Sequence, residues 1–135
     1  MIKMDFNFSE ILFGKNVSVK KEIEIVFADK RLKRAYDEAK NRNPILYDKL
    51  TRAFNRIREN PEIGAITPKR WLSERKNLKY LVLKYGINNL RVFDISDKER
   101  LLYSLIRKRN KIVVKIIALM VWWGTHKQYE RLFGY

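Results

Sequence analysis

The chain's only histidine, His126, stands in Gly124-Thr125-His126-Lys127-Gln128-Tyr129-Glu130-Arg131, straight after the apolar run Ile116–Trp123. Imidazole, with an ordinary pKa of about 6.5, is the side chain best able to take and return a proton at neutral pH. Tyr129 follows one helical turn later, so both rings can face the same side. Lys127 and Arg131 give the segment a basic rim. Arg100 opens another β segment and shares a strand face with Leu102 and Ser104. A cation held in a partly desolvated site stabilises charge developing on a phosphate most effectively.

Together these groups suit one reaction, metal-free cleavage of RNA by attack of its own 2′-OH on the adjacent phosphate. The protein must take the 2′-OH proton, stabilise the phosphorane and protonate the departing 5′-oxygen. Arg100 would serve the phosphate, and His126 or Tyr129 would move the protons. Were Tyr129 beside several cations, its pKa would fall, which favours that role. Each residue also has a plain structural reading: His126 as a first-turn helix residue, Tyr129 as a core or rim aromatic, Arg100 as a solvated strand end.

The charge balance points the same way. Thirty Lys and Arg against fifteen Asp and Glu give a net charge of +15, a field that attracts polyanions. Heat adaptation adds charges of both signs, whereas basic residues here outnumber acidic ones two to one. Lys69, Arg70, Arg75, Lys76, Lys79, Lys84 and Arg91 surround a single acid, Glu74. Phosphate contact is the expectation for this cluster, with a grip that weakens steeply in salt.

Other chemistries are poorly served. Cysteine is absent, which excludes disulfides and thiolate metal sites, and a lone histidine does not make a usual zinc site. Asp94 and Asp97 read as turn formers. They lack a third ligand at suitable spacing, and no glycine-rich phosphate loop appears; neither a metal nor a cofactor is expected. The N-terminal residues lack a continuous apolar stretch of the signal-peptide kind. Ile116–Trp123 is too short for a bilayer, which needs about 20 residues. A cytoplasmic protein without a membrane partner is the expectation.

The elements that must carry these residues can be read from periodicity. Residues 1–16 read as an N-terminal arm or extra strand of a single domain spanning 1–135. Val17, Val19, Ile23, Ile25 and Phe27 alternate with polar residues for most of their length, hence a strand with one buried face. Asp29 then caps a helix bearing Leu32, Ala35, Tyr36 and Ala39, and Asn43-Pro44 starts a second helix that ends at Asn60-Pro61. Residues 61–77 read as an irregular basic connection, and Leu78–Tyr85 as a short helix stopped by Gly86. Three β segments follow, Leu90–Ile95, Arg100–Ile106 and Ile112–Trp123, with turns at 96–98 and 107–110. The last is apolar on both faces and therefore central; Trp122 and Trp123 point to opposite faces, one into the core and the other free to stack on a base. Thr125 and Gln128 form a capping box for a final helix. The fold class expected is α+β: an antiparallel β-sheet with an N-terminal helical hairpin on one face and a C-terminal helix.

Four stretches carry a family resemblance: Ile66-Thr67-Pro68-Lys69, Lys84-Tyr85-Gly86-Ile87-Asn88-Asn89-Leu90-Arg91, Glu99-Arg100-Leu101-Leu102-Tyr103, and Gly124–Phe133. In order and spacing, over roughly residues 20–135, they resemble the RelE/ParE toxin superfamily, the last stretch being similar to its HigB branch. The resemblance implies a RelE-like toxin of a type II toxin–antitoxin pair, a metal-independent endonuclease that cuts mRNA on the ribosome. It implies mRNA, the ribosome and an acidic antitoxin as partners. Arg100 matches the arginine of the family's R-L-x-Y strand, and His126 and Tyr129 match its G-T-H-x-x-Y variant. Lys69 and Arg70 match basic positions before the sheet, and Lys115 is the candidate for a second basic residue on the last strand. RNA contact is thus expected from Lys69, Arg70, Lys84, Arg91, Lys115, Lys127 and Arg131. Two alternatives stand: a ParE-like toxin that binds a topoisomerase, and a basic RNA-binding domain without catalysis.

Overall fold

The computed structural model describes residues 2–13, 17–109 and 112–135, with residues up to 20 as backbone only. The chain runs β1 (Ile2–Phe13), β2 (Val17–Phe27), α1 (Lys30–Arg42), α2 (Pro44–Glu59), β3 (Ala65–Ile66), α3 (Lys69–Glu74), α4 (Lys76–Tyr85), β4 (Arg91–Asp94), β5 (Glu99–Arg109), β6 (Val113–Thr125) and α5 (His126–Phe133). The strands form one six-stranded sheet in the order β1-β2-β6-β5-β4-β3. The α+β class is as expected, and β1 pairs antiparallel with β2 from Ile2↔Phe27 to Phe13↔Val17, with a register shift between Lys3 and Asp5; Met1 and residues 14–16 lie outside the described residues.

The sheet is mixed, not antiparallel. β2 runs parallel to β6 from Lys20↔Val113 to Phe27↔Met120, while the other neighbours are antiparallel. The meander β4-β5-β6 leaves one edge of β6 open, and β2 fills it in the same direction. Alternation of apolar and polar residues sets which face of a strand is buried, but it carries no sign of direction.

Local chemistry sets the helix ends. Asp29 Oδ1 accepts from Leu32 N at 3.0 Å, and Asn43 both closes α1 and caps α2, with Pro44 at the first helical position. The hairpin is tied by Tyr36 OH to Thr51 Oγ1 at 2.6 Å and by stacking of Tyr36 on Tyr47. It covers one face of the sheet in a core of Ile25, Phe27, Leu50, Phe54, Leu101 and Met120. The other face is covered too: Leu72, Leu78, Leu81 and Phe133 from α3, α4 and α5 pack on Val26, Leu102, Leu119 and Val121.

Three further differences from expectation have local causes. β5 continues to Arg109, so Arg107-Lys108-Arg109 is strand paired with β6, not turn; Asn110 lies outside the described residues. Residues 61–77 contain β3 and α3, the former existing only through its pairing with β4. In β6, Trp122 pairs with Leu102 and Met120 with Tyr103, so Val121 is an extra bulged residue. The bulge turns Val121 and Trp122 to the second core and Trp123 to the first, so both tryptophans pack against core clusters. Among the described residues, no helix is long and apolar enough to cross a membrane.

Candidate functional site

α5 begins where β6 ends, and its first turn is built by short-range bonds. Thr125 Oγ1 accepts from Gln128 N at 3.2 Å, and Gln128 Oε1 accepts from Thr125 N at 2.9 Å. A Cβ on Gly124 would lie 2.6 Å from that Gln128 oxygen and 2.7 Å from the Trp122 ring, so the close approach needs glycine. His126 N donates to Lys98 O at 2.7 Å, which ties the helix to the β4–β5 turn. That turn leads into Arg100, paired in register with Asp94 on β4 and Gly124 on β6.

The three residues expected to do chemistry therefore meet around one junction. Arg100 Nε lies 3.0 Å from Asp94 Oδ1, and its Nη1 donates to Ser96 O and Glu99 O. Tyr129 senses the charges of both Arg100 and Asp94. The His126 ring lies 6.0 Å from the Tyr129 ring at 22°, and its Nε2 is 2.8 Å from Glu130 Oε1. Tyr129 in turn leans on Phe133, with ring centroids 4.4 Å apart.

Tyr129 departs from expectation. Its pKa does not fall but is pushed up to about 12, chiefly by burial, then by neighbouring Tyr135. Arg100 pulls it down, but Asp94 opposes that pull. At neutral pH the phenol keeps its proton and can donate it; it cannot serve as a base.

The basic residues divide. Lys69 and Arg70 are exposed at the start of α3, and Lys127 and Arg131 are exposed one turn apart on α5. Arg91 instead fastens the loop after α2, donating to Glu62 O and Gly64 O at 2.9 and 2.8 Å. Lys84 sits at the end of α4, its ammonium 5.2 Å from the centre of the Tyr85 ring, and Tyr85 in turn binds the α1 cap Asp29. Lys115 is paired with Glu24 at 3.1 Å and Glu22 at 3.8 Å, and its pKa is raised chiefly by the Glu24 contact. Along β6 it lies about 30 Å from Gly124, at ~3.3 Å per residue. It is a sheet-face ion pair away from the junction, not a part of it.

Beside the junction lies an open cavity of about 530 Å³, lined among others by Arg56, Thr67, Trp71, Phe93, Asp94 and Tyr129. Thr67 and Trp71 fall in the stretch read as irregular connection. A signal was present, since Trp71 and Arg75 have the i, i+4 spacing of a stacked helical pair, and the Arg75 guanidinium does stack on the indole at 3.8 Å. Asp94 read as a turn former and instead partners Arg100. No group of three or more His, Asp or Glu among the described residues could hold a metal ion.

No protein-family model matches the chain, and neither curated proteins nor solved structures include a match. The fold and the junction define an α+β protein with a mixed sheet and a basic surface.

Proposed function

We propose that this chain is a RelE-like toxin of a type II toxin–antitoxin pair, a metal-independent endonuclease cutting mRNA on the ribosome. The observation that carries the reading is the meeting of Arg100, Tyr129 and His126 at the β5–α5 junction of a chain with net charge +15. In the mechanism, His126, oriented by Glu130, takes the 2′-OH proton as the 2′-oxygen attacks phosphorus. Arg100 faces the charge that builds on the phosphorane oxygens. Tyr129, still protonated at neutral pH, gives its proton to the departing 5′-oxygen. Lys69, Arg70, Lys127 and Arg131 hold the RNA backbone. An antitoxin that silences the chain would be acidic where it covers this surface.

One observation favours a second reading, an RNA-binding domain that does not cut. Arg100 is only 14% exposed and already bonds Asp94, Ser96 O and Glu99 O. Primer extension on an mRNA in a reconstituted translation reaction separates the two. New 5′ ends inside codons that require ribosomes, and vanish in the His126→Ala, Tyr129→Phe double variant, support the nuclease. RNA binding without new ends, from folded protein, supports the second reading.

A further inference from the structure

We propose that the cavity bounded by β3, β4, α3 and α5 is a nucleobase-binding subsite for single-stranded RNA, in which a base stacks on Trp71 and bonds Thr67. The proposal rests on the reading that this chain takes RNA, though not on the cleavage step.

Three features of the cavity point to a flat ligand with a polar edge. The first is a ring held ready. The Arg75 guanidinium lies 3.8 Å from the centre of the Trp71 indole, and its Nη1 is itself bonded to Phe133 O. The Tyr135 ring meets Trp71 edge-on at 6.2 Å. Trp71, held by these two neighbours, also lines the cavity. A clamped ring loses little freedom when a base stacks on it.

The second is a hydroxyl without a partner. Thr67 lines the cavity and is only 4% exposed, and its Oγ1 makes no hydrogen bond. A buried hydroxyl left unsatisfied is costly, and such groups in folded proteins call for an explanation, a ligand among them. The amide of Thr67 is used, donating to Leu90 O at 2.9 Å, so the residue is fixed while its side chain remains unspent.

The third is a pair of opposite charges on the rim. Arg56 reaches over the Phe93 ring at 5.6 Å, while Asp94 is bound to Arg100 through Oδ1. One offers donors and the other an acceptor, which the edge of a base can use together. A backbone phosphate would use neither Trp71 nor Asp94. The position beside Tyr129, which lines the cavity, sets the base next to the phosphate handled at the junction.

The test is fluorescence anisotropy of the full chain with a labelled RNA decamer and with the same-length oligomer lacking its bases. A surface that grips only phosphates binds both alike. The base subsite makes the RNA bind about tenfold tighter, the effect of stacking one base on an aromatic side chain. Thr67→Val and Trp71→Leu should each shrink that preference. Thr67→Val should also melt no lower than the unaltered protein, since it removes an orphaned hydroxyl, and this separates lost binding from lost folding. Equal affinity of the two oligomers for the unaltered protein overturns the proposal, as does a preference that survives Thr67→Val and Trp71→Leu together. Base preference without cleavage in translation leaves the subsite standing and removes the nuclease; cleavage without base preference does the reverse.

Discussion

Arg100 and Asp94 stand opposite each other across the β4–β5 pair, with Nε 3.0 Å from Oδ1, the arginine 14% exposed and the aspartate 71% exposed. The carboxylate therefore orients the guanidinium from the solvent side, while backbone oxygens of Ser96 and Glu99 hold its Nη1. It also damps the field that Arg100 exerts on Tyr129.

Removing Arg100 should stop the chemistry while largely sparing RNA binding. Loss of one preorganised electrostatic group typically costs about 100-fold or more in rate. Arg100→Lys should not restore it, because an ammonium cannot hold Asp94 and two carbonyls with the geometry of a guanidinium. Rates of codon cleavage measured by primer extension, alongside RNA affinity, check this. Unchanged cleavage in Arg100→Ala would remove the residue from the site.

The tyrosine makes a claim about pH. Its folded pKa of about 12 lies above the ordinary value of 10.0, so the folded state holds the proton more tightly. The stability tied to that difference is full below pH 10 and is lost as pH rises through 12. Difference titration of phenolate absorbance against Tyr129→Phe should show the step near 12. Asp94→Asn should lower it and Arg100→Ala should raise it, because these are the signs of their charges. A step at pH 9 in the unaltered protein would contradict the burial of the ring.

Gly124→Ala should disturb the site without touching a reacting group. The new methyl would meet Gln128 Oε1 and the Trp122 ring. Crowding of this kind typically costs about 1–3 kcal/mol, with loss of the Thr125 capping box adding to it. The readouts are thermal melting and cleavage rate, and Thr125→Ala should reproduce the loss of the cap, about 1 kcal/mol. If Gly124→Ala melts like the unaltered protein, the close approach is not what shapes the turn.

Lys115→Met should leave cleavage and RNA affinity unchanged, because the side chain is bound to Glu24 and Glu22 at the far end of β6. Parallel measurement with Lys127→Ala, where affinity should fall and the salt dependence should flatten, makes the contrast. A cleavage defect in folded Lys115→Met would restore it to the site.

How far the sequence could be read depended on the range of the forces involved. α1, α2 and α5 were legible because Asp29, Asn43-Pro44 and Thr125 with Gln128 act within one turn of the chain. α3 was hidden, since its N-cap position is Pro68, which supplies no side-chain cap. β3 was hidden for a different reason: two residues carry no period, and the strand is made by β4. Basic residues were the least legible, because Lys127 and Arg131 on the surface and Lys115 and Arg91 in structural bonds look alike in one dimension.

The sequence by itself determined the α+β class, the caps of α1, α2 and α5, and the apolar central strand. These follow from spacing and from bonds between near neighbours. Tertiary structure alone decided the parallel β2–β6 pair, the bulge at Val121, the clamp of Arg75 on Trp71 and the unpartnered Thr67 hydroxyl. It also decided that burial raises the pKa of Tyr129 where neighbouring cations would have lowered it. Direction of pairing, burial and the balance of Arg100 against Asp94 depend on which distant segments come together, and no local pattern encodes that.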